Sequence, residues 1–359
     1  MNRLFRCMAR LTACIGAIFV IESACAQSSV TLYGRLDAGL LYTSRTFDVK
    51  SGRNGGRQLS VIDSGASPTL FGLRGVENIG GGTKVLFTLE SGVNLMDGGF
   101  KNSNGNLFGR QAFVALAGPY GQAKFGLQFS PFFLALFETD PRGFSQFGSG
   151  LVNYVNNVLG TGAFNANGIS YASPSIGGFE GSALVALGGK PGDYQAGRQY
   201  SASLKYQNGN FMVNAALYSG IGGGTVSTPI PTTLQFSGRT VGTVYKFGAV
   251  SAKAQFVNYK VAGSFNSNLY GLGVDWNATP ALNLNGGVYY RMDRNDSANS
   301  SIMGAIGTVY SLSVRTALYA QVAAINNRGA MNSGLAIGYA LYGLQGTTTG
   351  ATIGIRHNF

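Results

Sequence analysis

The chain has three cysteines in 359 residues, Cys7, Cys14 and Cys25, and none after them. If the first 26 residues are removed on export, the mature chain has no thiol. It then has no disulfide framework, no cysteine nucleophile and no thiolate metal site. Histidine is scarcer still: His357 stands alone, so a Ser/His/Asp hydrolase is implausible. The glycine runs Gly80–Gly82 and Gly222–Gly224 lack the Lys and helix of a phosphate loop. The expectation is therefore no enzyme, no cofactor and no metal. Charged residues make up only 11% of the chain, yet no apolar run of 18 residues follows residue 26, so no membrane-spanning helix is expected.

What is present begins with a leader. Arg3, Arg6 and Arg10 precede an apolar core, Leu11–Ile21, and small residues at Ala24, Cys25 and Ala26 suit cleavage before Gln27. Residues 1–26 are read as a cleaved signal peptide. Removing them takes away three Arg and Glu22, leaving 23 basic and 13 acidic residues, a formal +10. Export makes nucleic acid an improbable partner. Scattered basic residues suit anion steering through a pore instead.

The rest of the chain alternates with period two. Val85, Phe87 and Leu89 oppose Lys84, Thr88 and Glu90. Leu282, Leu284, Val288, Tyr290 and Met292 oppose Asn283, Asn285, Tyr289 and Arg291. Tyr and Phe together number 41 (18 and 23), and aromatics cluster at strand ends, as membrane girdles require. Short turns such as 78–82, 118–121, 207–210 and 277–280 alternate with longer loops near 44–67, 95–106, 130–167, 189–199, 220–237, 293–301 and 326–347. The alternation predicts about sixteen strands. The last ten residues place Ile353, Ile355, His357 and Phe359 on one side, with Thr352, Gly354, Arg356 and Asn358 on the other. An apolar strand face ending on a terminal Phe suits an outer-membrane barrel and is similar to the insertion signal of such proteins. The fold class predicted is all-β: a sixteen-stranded antiparallel transmembrane β-barrel over residues 27–359.

Six segments in order carry a family resemblance: Ser29–Asp37 (SVTLYGRLD), Phe71–Gly82 (FGLRGVENIGGG), Phe87–Glu90, Ile169–Pro174 with Gly178–Phe179, Ser311–Thr316 with Leu318–Tyr319, and Gly354–Phe359. From end to end the mature chain resembles the trimeric general-diffusion porins of Gram-negative outer membranes, especially the beta-proteobacterial branch. The resemblance implies a homotrimer in the outer membrane. Its implied partners are outer-membrane lipid and lipopolysaccharide, the assembly machinery with periplasmic chaperones, and small hydrophilic solutes and ions. It also implies that the third extracellular loop, residues 130–167, folds inward and narrows the lumen. Phe132, Phe133, Phe137, Phe144 and Phe147 would pack that loop on the inner wall.

The family lines its lumen with arginines. Here alternation places Arg35, Arg74 and Arg110 inward, because a charge facing lipid at the midplane costs about 2–4 kcal/mol. Lys84, Lys205, Lys246, Lys253, Arg291 and Arg356 are assigned to the lumen too. Asp37, Glu77 and Glu90 would partly neutralise them. Glu138 and Asp140, with Arg142 beside them, would form the acidic side of the constriction. Leu70, Leu127 and Val314 stand where relatives often carry basic residues, which weakens the expected anion preference. The function expected is passive diffusion of small hydrophilic solutes and ions, weakly anion-preferring. The alternatives are a substrate-specific channel, or a barrel acting mainly as an adhesin or receptor through its loops.

Overall fold

The computed structural model describes residues 29–155, 163–189, 191–221 and 235–359; the expected leader lies outside them. The alternating segments form strands because side chains of period two suit an apolar and a polar face at once. Ser29–Thr43 is β1, Gln58–Asp63 β2, Leu70–Gly80 β3, Thr83–Gly92 β4, Gln111–Gly118 β5 and Gly121–Gln128 β6. After the third long connection come Asn165–Ala172 (β7), Phe179–Ala186 (β8), Gln199–Asn208 (β9), Phe211–Ile221 (β10), Gln235–Phe247 (β11) and Val250–Val261 (β12). The wall continues with Asn266–Asn277 (β13), Leu282–Asp293 (β14), Ser300–Ser311 (β15) and Thr316–Arg328 (β16). Ser333–Ala336 (β17) and Ala340–Tyr342 (β18) form a small separate hairpin, and Gly346–Asn358 (β19) ends the wall.

All seventeen strands of the main sheet pair antiparallel with their neighbours, and β19 returns to β1 from Arg35↔Asn358 to Thr43↔Gly350. β2 covers the upper part of β1 and β3 the lower part. They are two halves of one wall strand, so the closed barrel has sixteen. Among the described residues, closure leaves the main sheet without a free edge strand, so its ladders pair within the protein, as hydrocarbon demands.

The loop expected at 44–67 thus contains half a wall strand. The five residues Leu59–Asp63 are a short signal inside a Gly- and Ser-rich stretch. The break at 64–69 is held by Asp37, whose carboxylate accepts N–H bonds from Gly65 (2.9 Å), Ala66 (3.2 Å) and Ser67 (2.7 Å).

Register fixes the two faces. Leu32, Leu36 and Leu40 on β1, Leu272 and Val274 on β13, and Ile353 and Ile355 on β19 are all exposed, on the lipid side. Aromatic pairs mark both ends of this belt: Phe179 with Tyr206 (4.6 Å) and Tyr245 with Phe247 (4.4 Å) beside short turns, Phe256 with Tyr270 (5.2 Å) towards the long loops. One connection on the long-loop side is brief, Ala262–Phe265 between β12 and β13.

Candidate pore and its constriction

The connection between β6 and β7 contains a helix, α1 (Pro131–Thr139), and a shorter one, α2 (Gly150–Val155). Ser130 caps α1 by accepting the Phe133 N–H at 3.1 Å, and Pro131 follows at the first turn. This Ser-Pro start was legible in the sequence, but the period-two reading passed over it.

Pro131, Phe132, Ala135, Leu136 and Thr139 of α1 are buried. They meet the inner face of β9–β12. The Phe132 amide donates to Ser201 Oγ (2.9 Å), and Gln255 donates to the Leu136 carbonyl (2.9 Å). Side chains added at Gly238 or Gly242 would run into Phe132 and Thr139, so these wall glycines make room for the helix.

Beyond α1 the chain is pinned from several directions. The Arg142 guanidinium donates to Asn285 Oδ1 on β14 (3.0 Å), Gln321 Oε1 on β16 (2.7 Å), and the carbonyls of Phe147 (2.7 Å) and Gly148 (2.9 Å). Gln146 donates its amide to Ala66 in the break (3.0 Å). Gly148 donates to Leu335 (2.8 Å), and Ile337 donates to Gln146 (2.9 Å), so the β17–β18 hairpin lies against the same segment. Leu335 and Ala336 are buried there.

The structure separates the seven expected pore residues into two groups. Arg35, Asp37 and Arg74 lie on the lumenal register, with Thr31↔Arg74 paired across β1 and β3. Arg74 is exposed, its guanidinium 5.3 Å from the Tyr33 ring centre. Arg35 is half-buried and donates to Asn358 Oδ1 (3.0 Å). Asp37 is fully buried. Besides three N–H groups it accepts the Tyr319 hydroxyl at 2.7 Å, so it braces the wall and presents no charge to a passing ion.

Arg110 reaches the inner side by a route other than strand alternation. β5 begins at Gln111, which holds the inward register opposite Glu90. Arg110 precedes it and binds Glu90 Oε1 at 2.8 Å, buried to 9% exposure. Glu90 also accepts the Tyr33 hydroxyl (3.0 Å).

The acids of the loop do not face the arginine wall. Asp140 is fully buried in its own turn, accepting the amides of Arg142 (2.9 Å), Phe144 (3.1 Å) and Gly150 (3.0 Å) and the Tyr289 hydroxyl (3.2 Å). Burial raises its carboxyl above the ordinary carboxylate range, and the three N–H donors act against that rise. Arg142 is a buried tether. Glu138 alone is partly open; it holds Lys205 (3.4 Å) and Asn214 (2.8 Å) on β9 and β10, the wall beneath α1.

Further positions depart from the sequence reading. Glu77 shares its outward register with Val85, so it neutralises nothing in the lumen. Leu127 pairs with Ala112 on the outward face, and Val314 is fully exposed in a turn. Of the three apolar replacements, only Leu70 pairs with a lumenal residue, Arg35. Lys124 joins the inner wall opposite Ala115 and Ser170, a position that period-two counting on β6 would have found. Phe359 lies just beyond β19. Its amide and carbonyl exchange hydrogen bonds with Gly34 (3.1 and 3.0 Å). Its ring covers Gly34, where any side chain would collide with it.

A closed sixteen-stranded antiparallel wall is matched by known proteins. The family model described as Gram-negative porin matches residues 13–330. The chain belongs to the Gram-negative porin family. This porin is 32% identical over 363 residues to outer membrane porin protein 32 of Delftia acidovorans, covering 94% of this chain and 96% of the relative. It is 30% identical over 210 residues to major outer membrane protein P.IB of Neisseria gonorrhoeae, covering 56% and 55%. Among solved structures, the anion-selective porin from Comamonas acidovorans superposes with a TM-score of 0.79 at 28% identity, over 93% of this chain and all of that one. The trimer form of OmpT from Vibrio cholerae shares the fold, with a TM-score of 0.66 at 15% identity, covering 92% and 99%. The porin is a passive channel of the outer membrane, not an enzyme.

Proposed function

We propose that this porin passes small hydrophilic solutes with a preference for anions. The observation that carries this is an imbalance on the lumenal side. Arg35, Arg74, Lys124 and Arg356 make no ion pair with a carboxylate among the described residues. The nearby acids are committed: Asp37 to backbone N–H groups, Glu90 to Arg110, Asp140 to its own turn, and Glu138 and Glu180 to Lys205. Uncompensated cations in a narrow aqueous passage, where screening is reduced, favour anion entry. Leu70 moderates the preference; Leu127 and Val314 do not. The relative with the TM-score of 0.79 is described as anion-selective, which agrees in sign.

Residues 27–359 act as one barrel domain, with 130–167 as the constriction loop and 1–26 as the leader. The working unit is a homotrimer, joined through the outward faces of β1 and β19. Outer-membrane lipid and lipopolysaccharide surround it, and Phe359 offers the assembly machinery its terminal recognition feature. Reversal potential in a KCl gradient tests the selectivity. Wild-type protein is expected on the anion side, and Arg74→Ala is expected to move it towards cations. An unchanged potential would remove Arg74 from the conduction path and overturn the assignment of the wall.

A further inference from the structure

We propose that the constriction favours amphipathic organic anions, a carboxylate carried on a ring, over hydrophilic anions of similar size. This rests on the anion-preferring reading and adds the chemistry of the anion's body. α1 buries one face in β9–β12, which stand half-way round the barrel from β1. Its other face exposes Leu134 (41%) and Phe137 (51%). Inside an aqueous channel no lipid covers such side chains, and a large apolar surface left open there is a candidate contact for a ligand.

Phe137 belongs to a continuous ring cluster. Ring centres lie 5.8 Å apart for Phe137 and Phe144, 5.5 Å for Phe144 and Phe133, and 5.3 Å for Phe133 and Phe129. The cluster ends beside the basic wall, where the Arg110 guanidinium sits 5.9 Å from the Phe129 ring centre. On that wall cations and rings are interleaved: Lys124 is 4.9 Å from the Phe113 ring and Arg74 is 5.3 Å from Tyr33.

The passage thus offers two chemistries on opposite sides. A carboxylate meets Arg35, Arg74 or Lys124. The apolar body of the same solute meets Leu134 and Phe137. The one acid on this face of α1, Glu138, is held by Lys205 and Asn214, which limits its repulsion of an anion. A hydrophilic anion such as gluconate engages only the first side.

Single-channel recording in KCl, with sodium benzoate or sodium gluconate added, tests the idea. Benzoate is expected to reduce the chloride current at concentrations about five-fold lower than gluconate, the scale of one modest apolar or ring–cation contact. The double variant Leu134→Ser with Phe137→Ser is expected to bring benzoate to gluconate's level, whereas Phe137→Tyr, which keeps the ring, is expected to retain the difference. Heat-modifiable migration checks that each variant is folded. Equal effects of the two anions on wild-type protein, with the KCl reversal potential still on the anion side, would overturn this inference alone. A cation-side potential would overturn the reading beneath it. Loss of the difference in Phe137→Tyr as well would assign it to a disturbed loop and sink the proposal.

Discussion

At the scale of single residues, charge and position part company. Arg74 and Arg142 are both arginines near the channel, but one stands in the open beside Tyr33 and the other spends every donor nitrogen on protein acceptors. Only the first can act on an ion. The same distinction separates Glu138 from Asp140. Glu138 is the partly exposed acid, and its charge is shared with Lys205, which Glu180 also holds at 3.2 Å. Glu138→Gln is expected to move the KCl reversal potential further to the anion side. The shift should be smaller than that of Arg74→Ala, because Lys205 already offsets part of the lost charge. A shift in the opposite direction would contradict this placement. Alternation along β3 assigns Arg74 to the inner side of the wall. It could not distinguish a free guanidinium from a tethered one, because two of the acceptors of Arg142, Asn285 on β14 and Gln321 on β16, are more than 140 residues away.

At the scale of elements, the loop carrying α1 and α2 and the β17–β18 hairpin are fastened to each other and to the wall. Arg142 is the central fastening. A buried guanidinium with several accepting partners leaves them unsatisfied when removed, so Arg142→Ala is expected to loosen the loop by on the order of 2–4 kcal/mol. The readout is single-channel current: larger mean conductance and added open-state noise are expected. A trace identical to wild type would show that the tether does not hold the constriction.

The closing strand depends on its last residue in a comparable way. Phe359 continues the ladder to Gly34 and lays its ring on the bare backbone there. Gly34, on the outward register of β1, is therefore covered by this ring. Deleting Phe359 is expected to lower the amount of heat-modifiable, membrane-embedded protein several-fold. Unchanged levels would mean that Asn358 closes the barrel well enough alone.

For the whole molecule, the outward faces of β1 and β19 carry Leu32, Leu36, Leu40, Ile353 and Ile355, all well exposed on the isolated barrel. In lipid such a face is acceptable alone, yet it also suits packing against a second copy. Native mass measurement in mild detergent is expected to give a trimer. A uniform monomer under conditions that preserve the barrel would remove the assembly proposal.

The sequence by itself determined the wall. Period-two alternation gave the strands, their two faces and their antiparallel succession, because each of these is local: a residue's side follows from its neighbours two positions away. Even the closing strand was legible from ten residues. It missed where alternation is interrupted, at Leu59–Asp63 and at Arg110 just before β5, since a short run or a residue outside a strand has no period to read. The tertiary structure alone decided what fills the lumen. Asp37 is sealed by Tyr319, 282 residues away, Asp140 by Tyr289, and the apolar face of α1 is left open opposite the basic wall. Whether a charge or a ring faces water there depends on partners brought in by barrel closure, and closure is a property of all sixteen strands together.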